Sequence, residues 1–108
     1  MLAIYAGRML SHVVIFWTKP GVVDAAEKLL AGVKEYLAPI PGVSVLHAGK
    51  MVPSERPVVE QSYQVGLYVQ VEDKAAEIRY QQHPLHLAFI EKCLKDNYER
   101  VLVYDFAD

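Results

Sequence analysis

Two kinds of apolar pattern alternate along this chain, and their order predicts its fold. From Met9 to Thr18 the residues are mostly β-branched and aromatic, as a pleated strand prefers, and Lys19-Pro20-Gly21 ends the run. Apolar residues then recur at helical spacing from Ala26 to Leu37, until Pro39 and Pro41-Gly42 stop the pattern. The chain therefore begins its fold with a strand followed by a helix.

The middle of the chain predicts two more strands. Residues Val43 to His47 alternate before Gly49 and indicate a short second strand, and Pro53 to Pro57 indicates an exposed loop. Apolar and mostly polar residues then alternate with a period of two from Tyr63 to Val71. This alternation is typical of a strand with one face in the core.

The last third predicts a broken helix and a final strand. Asp73 opens a helix through Tyr80, and Pro84 fits only in the first turn of a new helical segment that continues to Leu94. The run from Val101 to Phe106 is a strand. The order is β-α-β-β-α-β, which predicts an α+β fold, the ferredoxin-like sandwich.

The predicted first strand is apolar on both faces. Its two faces consist of Val13, Ile15 and Trp17 on one side and His12, Val14 and Phe16 on the other. In a ferredoxin-like sandwich the helices cover only one face of the sheet, so the second apolar face is left for a partner. We therefore predict a homodimer that forms through the sheet face, as a dimeric α+β barrel.

Composition narrows the classes of partner. The chain has 108 residues, 53% of them hydrophobic, and a net charge of -2 without a basic block, which favours one domain and argues against nucleic acid. The apolar runs are too short to cross a bilayer, so no membrane association is predicted. Residues 1–8 are interpreted as an N-terminal extension or a start-site artefact, and 9–107 as the domain.

The single cysteine, Cys93, excludes a disulfide within the chain. Its position in an amphipathic helical pattern predicts a buried thiol in a reducing compartment. We therefore expect a cytoplasmic protein.

The candidate chemistry lies around the helix break. The segment from Tyr80 to His86 places a phenol and two imidazoles together, and His12 stands on the strand face expected to meet the helices. A neutral imidazole can remove a proton next to a carbonyl, while a phenol or second imidazole holds the enolate oxygen. In this hypothesis His86 is the base, and His12 and Tyr80 polarise the carbonyl.

A structural interpretation of the same rings stays open. His83 can cap the second helical segment, and His12 and His86 can hydrogen-bond each other or the backbone across the core. His47, on the second strand, has no companion in the sequence and is expected to be partly exposed and structural.

No cofactor is predicted. His83 and His86 have the spacing of a metal pair, but Pro84 disrupts the helical face and no strong third ligand stands nearby. We therefore predict no metal site. Haem is not predicted either, because related dimeric barrels that bind it need a placed axial ligand, and one sequence alone does not demonstrate that placement.

Four motifs in order carry a family resemblance. They are Ser11-His-Val-Val-Ile-Phe16, Ile40-Pro-Gly-Val43, Tyr80-x-x-His-Pro-x-His86 and Val101-Leu-Val-Tyr-Asp-Phe106. Together they closely resemble the stress-responsive dimeric α/β-barrel (Dabb) domains, from Met9 to Ala107. The resemblance implies a ferredoxin-like protomer whose sheet packs on that of a partner.

The resemblance also implies where a pocket lies. In the plant polyketide cyclases of the family, pocket histidines match His12 and His86, and a second-helix tyrosine matches Tyr80. A third histidine and a first-helix tyrosine of those cyclases fall at Val65 and near Val33, where this chain is apolar. With His83 and Phe89, these two valines complete the predicted pocket.

Three function classes follow from these observations. The first is a small homodimeric stress-responsive protein with an apolar small-molecule pocket and no assigned activity. The second is a cofactor-free cyclase or isomerase that acts on polyketide-like or enolisable carbonyl substrates. The third is a purely structural or assembly protein.

Overall fold

A computed structural model describes residues 9–108 and confirms the predicted order of elements. The strands and helices are β1 (Leu10–Thr18), α1 (Ala25–Gly32), β2 (Val43–Lys50), β3 (Val65–Val71), α2 (Lys74–Gln82), α3 (Pro84–Phe89) and β4 (Tyr98–Ala107). The prediction for residues 1–8 lies outside the described residues. The chain is an α+β, ferredoxin-like fold, as its sequence pattern indicates.

The four strands form one antiparallel sheet in the order β2-β3-β1-β4. His12 of β1 lies opposite Val69 of β3 and Asp105 of β4, so these three positions share one face of the sheet. Val13 lies opposite Tyr68 and Tyr104, which share the other face. Residues that are far apart in sequence are thereby brought side by side.

The core lies between one sheet face and the helices. Val14 and Phe16 of β1 are buried there, as predicted, and so is His12. The buried apolar residues of β3 and of the first helical region, which complete this core, are Val65, Leu67, Val69, Val71, Leu29, Val33 and Leu37. His12 is thus a polar ring in an otherwise mainly aliphatic layer.

The second helical region is broken where the sequence predicts it. The Ala76 N–H donates to Asp73 Oδ1 at 2.8 Å, which caps α2. His83 has extended backbone, Pro84 follows in the first turn of α3, and the Leu85 N–H donates to His83 Nδ1 at 3.1 Å. The break therefore ends one helix and begins the next without a long loop.

Both helical regions end in a wider turn that the sequence pattern does not reveal. Val33–Leu37 follows α1 and Ile90–Leu94 follows α3 as π-helical turns. The Ala38 N–H donates to the Val33 carbonyl and the Lys95 N–H to the Ile90 carbonyl, both at 2.9 Å. Such turns occur often at functional sites, and Leu37, Ile90 and Leu94 line the cavity described below.

Some predicted boundaries were wrong by a few residues. Strand β2 runs to Lys50 instead of ending before Gly49, and β3 begins at Val65 instead of Tyr63. Tyr63 belongs to the connection between these strands, where its ring packs edge-on against Trp17 at 6.4 Å. Within residues 9–108, every helix is too short or too polar to span a lipid bilayer.

The face of the sheet opposite the helices is apolar and uncovered within the chain. Tyr104 and Phe106 of β4 are exposed there, beside the partly buried Val13 and Ile15 of β1. The connection between β2 and β3 folds over one end of this face, where the Trp17 indole N–H donates to Ser62 Oγ at 3.0 Å. We refer to this surface, centred on Val13, Ile15, Tyr104 and Phe106, as the open sheet face.

Candidate functional site

A cavity of about 110 Å³ lies between the sheet and the second helical region. Its polar lining consists of His12, Tyr80, Gln81 and His86. The remaining lining residues, all apolar, are Val14, Phe16, Leu37, Leu67, Phe89, Ile90, Leu94, Val101 and Val103. The three rings singled out in the sequence therefore line one apolar cavity with a polar end.

Tyr80, near the C-terminal end of α2, is 2% exposed. Its hydroxyl is buried and makes no hydrogen bond to any described residue. Burial raises the pKa of the phenol well above its usual value, and the negative charge of Glu77 adds to this. Tyr80 therefore keeps its proton and can donate a hydrogen bond into the cavity.

His86 lies in α3, the short helix that follows the one containing Tyr80. The two rings meet edge to face with centroids 4.8 Å apart. Nδ1 of His86 is buried and has no hydrogen-bond partner among the described residues. Burial and the nearby His12 lower the pKa of His86, so the ring is neutral at pH 7. A neutral imidazole with an unpaired nitrogen can accept a proton.

His12 is held from both sides. Its Nδ1 lies 2.6 Å from Asp105 Oδ1 on β4, and its Nε2 lies 3.3 Å from Gln81 Nε2 on α2. A carboxylate accepts, so Nδ1 donates to Asp105, and Nε2 can then accept from the Gln81 amide. Its ring centroid is 6.0 Å from that of Tyr80. His12 therefore bonds Asp105 and Gln81 instead of His86 or the backbone.

A second cluster adjoins His12 and was not found from the sequence. Glu77, on α2, is 5% exposed, and its carboxylate lies within 4.8 Å of donor atoms of both His12 and Asp105. Burial opposes ionisation, but hydrogen bonds from Lys74 and Gln81 hold the pKa of Glu77 below its usual value. The three residues come from β1, α2 and β4, so no local motif could have signalled the cluster.

The other predicted site residues have different positions. Phe89 lines the cavity together with the three rings. His83 caps α3, and Val33 and Val65 are buried in the core without lining the cavity. His47 is exposed on the open sheet face, where it lies opposite Tyr68.

A larger hollow of about 660 Å³ lies on the open sheet face, under the connection between β2 and β3. Its lining includes Ile15, Trp17, Tyr63 and Tyr104. Arg100 stacks over the Trp17 ring at 4.4 Å from the ring centroid. The hollow is a groove on the uncovered sheet, separate from the cavity around Tyr80.

Comparisons with solved structures agree with this architecture. A Dabb family protein with a ferredoxin-like fold from Mesorhizobium loti is 28% identical, with 94% of this chain and 97% of that chain covered and a TM-score of 0.74. A dimeric ferredoxin-like protein of unknown function from Thermobifida fusca is 18% identical, with 97% and 95% covered and a TM-score of 0.77.

An enzyme shares the same fold. A hydroxynitrile lyase from Passiflora edulis is 14% identical, with 94% of each chain covered and a TM-score of 0.73. No curated protein matches the sequence significantly. A family model described as Stress responsive A/B Barrel Domain matches residues 10–108. The chain therefore belongs to the Dabb family of stress-responsive A/B barrel domains.

Proposed function

We propose that this protein is a homodimer that binds a small oxygen-bearing molecule in the cavity between sheet and helices. One observation carries the proposal: the Tyr80 hydroxyl and His86 Nδ1 are both buried at this cavity without a partner among the described residues. Buried polar groups in folded proteins nearly always have hydrogen-bond partners. A ligand carbonyl or hydroxyl oxygen beside the two rings would accept a hydrogen bond from Tyr80, and a ligand hydroxyl would also donate to His86 Nδ1. The carbon skeleton of the ligand would contact the apolar wall.

The size of the cavity limits the ligand. Pockets for drug-sized molecules measure roughly 300–1,000 Å³, and a cavity of roughly 150 Å³ is known to hold benzene. At about 110 Å³, this cavity is smaller than the one that holds benzene, and it suits a molecule no larger than a five-membered ring. A polyketide-like ligand would require the cavity to enlarge, so we favour a small ketone, aldehyde or alcohol.

A matched pair of probes tests binding. Cyclopentanone and methylenecyclopentane have nearly the same shape, but only the ketone has an oxygen for Tyr80. We expect cyclopentanone, and not the hydrocarbon, to shift the ring NMR signals of Tyr80 and His86. Equal shifts with both probes, or none with either, would refute a polar binding site.

Two variants test whether the Tyr80 hydroxyl binds the ketone. Tyr80→Phe removes the hydrogen bond to the ketone and should weaken cyclopentanone binding about tenfold, the effect of roughly 1.4 kcal/mol. Tyr98→Phe, which removes a phenol hydroxyl at the exposed start of β4, is the matched control and should change nothing. If no probe binds a stable dimer, the structural or assembly role becomes the better account.

The second candidate is a cofactor-free enzyme acting on enolisable carbonyl compounds, a cyclase or isomerase. The opposite pKa shifts favour it: Tyr80 keeps its proton to donate, and His86 stays neutral to accept. In this scheme His86 removes the proton next to the carbonyl and Tyr80 donates to the enolate oxygen. His12, which bonds Asp105 and Gln81, positions the polar end of the cavity.

Hydrogen–deuterium exchange tests the chemistry without knowledge of the natural substrate. In heavy water, an enolising enzyme replaces the hydrogens next to the carbonyl of cyclopentanone with deuterium, which NMR detects directly. We expect His86→Phe to abolish the catalysed exchange while the dimer stays intact. Exchange that persists in this variant would exclude His86 as the base.

The homodimer is proposed because the open sheet face exposes apolar and aromatic side chains. Its exposed aromatic residues, Tyr104 and Phe106, continue the apolar stripe of Val13 and Ile15. Exposed apolar patches of this kind mark protein contacts. The structure with this fold from Thermobifida fusca is described as dimeric, which supports a second copy as the partner.

A cytoplasmic location belongs to the same proposal. Cys93 is half-buried and not fully buried as predicted. This partial burial raises the pKa of the thiol above its usual value, with a further contribution from Glu35, so the thiol stays protonated and weakly reactive. A single unreactive thiol suits a reducing compartment, where disulfides are rare.

A further inference from the structure

We propose that His12, Glu77 and Asp105 form a binding site for a divalent transition metal. One nitrogen or oxygen atom from each residue lies within 4.8 Å of those of the other two. Atoms bound to one zinc-like ion lie about 2.0–2.2 Å from it, so three such donors need only small side-chain movements to reach a common ion. The site adjoins the cavity of the proposed small-molecule ligand, and His12 belongs to both.

The donor types select the class of metal. One imidazole and two carboxylates suit Zn²⁺, Ni²⁺, Fe²⁺ or Mn²⁺, whereas Mg²⁺ and Ca²⁺ prefer sites made of oxygen donors alone. His12 and Glu77 are buried and Asp105 is at the surface, so an ion can enter past Asp105. Three protein ligands also leave coordination positions for water.

Gln81 completes the arrangement expected around a metal-bound histidine. Such a histidine usually donates its second ring N–H to an acceptor, which fixes the orientation of the ring. Without a metal, His12 Nδ1 donates to Asp105. With a metal on Nδ1, the proton moves to Nε2, and the Gln81 side chain 3.3 Å away can turn its amide oxygen to accept it.

Lys74 provides the competing positive charge. Its Nζ lies 2.8 Å from Glu77 Oε1, and its ammonium group is mostly exposed on the first turn of α2. A bound metal has to displace this ammonium group, which can swing into solvent without losing its charge.

The Tyr80 hydroxyl, on which the small-molecule proposal also rests, is a second sign of a polar ligand beside this cluster. Tyr80 is 2% exposed, its ring packs 6.0 Å from that of His12, and its hydroxyl has no partner among the described residues. Because buried polar groups nearly always have hydrogen-bond partners, this hydroxyl points to a polar group that binds nearby.

Calorimetric titration of the tag-free, full-length protein with Zn²⁺ and Ni²⁺ tests the site, with Mg²⁺ as the hard-cation control. We expect one Zn²⁺ or Ni²⁺ per chain and no heat from Mg²⁺. Glu77→Gln should weaken binding by at least about tenfold, and Gln81→Leu by about 10- to 100-fold. Lys74→Ala should strengthen binding, because it removes the competing charge.

Controls separate this site from adventitious binding. Glu91→Gln and Lys95→Ala alter an exposed ion pair elsewhere, and His47→Gln removes an exposed imidazole, so all three should leave the affinity unchanged. Circular dichroism shows whether each variant folds, and Asp105→Asn replaces Glu77→Gln if the latter does not. The Co²⁺-loaded protein should show visible absorption bands that Glu77→Gln weakens and that the three control variants retain.

Three results would overturn the proposal. They are the absence of binding at millimolar Zn²⁺ and Ni²⁺, an affinity that Glu77→Gln and Lys74→Ala leave unchanged, and binding that depends on His47. Each of these would leave the cyclopentanone experiment unaffected, so the metal site and the small-molecule proposal can fail separately.

Discussion

Burial shifts the pKa values of His86 and Tyr80 in opposite directions. Loss of solvent disfavours the charged form, which is the imidazolium for His86 and the phenolate for Tyr80. The pKa of His86 falls and that of Tyr80 rises, so the two rings are a proton acceptor and a proton donor at the same pH. Free tyrosine and histidine side chains already have these protonation states at pH 7, and the packing around Tyr80 and His86 widens the difference.

The lowered pKa of His86 predicts a pH dependence of stability. In the unfolded chain its pKa returns to about 6.5, so as the pH falls below that value the unfolded state takes up a proton that the folded state does not. The stability that neutral His86 contributes is therefore present above about pH 6.5 and is lost as the pH falls toward the lower folded pKa.

Urea unfolding of the wild type and His86→Gln at about pH 7.5 and pH 5.5 measures this contribution. We expect the variant to lose less stability than the wild type between the two pH values. His47→Gln, which removes an exposed imidazole, should retain the wild-type slope. A slope that is the same in all three proteins would contradict the assignment.

At the scale of the elements, Gly32 sets how closely the two helical regions approach. It ends α1 with ordinary helical angles, so its role is one of space and not of backbone freedom. A Cβ atom at this position would lie 2.6 Å from Cys93 Sγ, 2.8 Å from Cys93 Cβ and 3.1 Å from Phe89 Cε1. Phe89 lines the cavity, so this contact also affects the shape of the site.

Gly32→Ala is therefore expected to destabilise the protein. Alanine improves helix propensity by about 1 kcal/mol, but overpacking costs about 1–3 kcal/mol, and Cys93 Cβ cannot move away without its backbone. The melting temperature should fall, and Cys93→Ala should restore part of it because only the Sγ contact is relieved. Gly49→Ala, where an added Cβ meets nothing within 4 Å, is the control and should have little effect.

At the scale of the whole molecule, the two sheet faces differ in how they are covered. The helices cover one face, and the open sheet face retains exposed aromatic residues. A homodimer would bury those residues, and it accounts for the apolar alternation on both sides of β1. The single chain alone gives no reason for Tyr104 and Phe106 to be aromatic.

Tyr104→Glu should convert the dimer to a monomer. The substitution places a charge on the open sheet face, whereas Leu87→Glu places one on α3, outside the sheet, and both residues are 55% exposed in the single chain. Light scattering after size-exclusion chromatography should show twice 12.2 kDa for the wild type and Leu87→Glu, and 12.2 kDa for Tyr104→Glu. A monomeric wild type, or dissociation by Leu87→Glu alone, would contradict the proposed interface.

Most of the fold could be predicted because its signals are local. The period-two alternation of β3 and the helical spacing of α1 each occur within one element, and Pro84 limits the helix by its own geometry. Boundaries were less accurate, as at Tyr63, because hydrogen bonds to neighbouring strands decide where a strand begins. The π-helical turns had no sequence signal.

The sequence by itself determined the order of elements, the broken second helix and the three rings that now line one cavity. Tertiary structure alone decided the partners of those rings: Asp105 and Gln81 bond His12, and Glu77 joins them from α2. Helix packing also placed Val33 and Val65, two predicted pocket residues, outside the lining of the cavity. The physical reason is that periodicity and capping act within a few residues, whereas sheet register and helix packing join residues that are far apart in the chain.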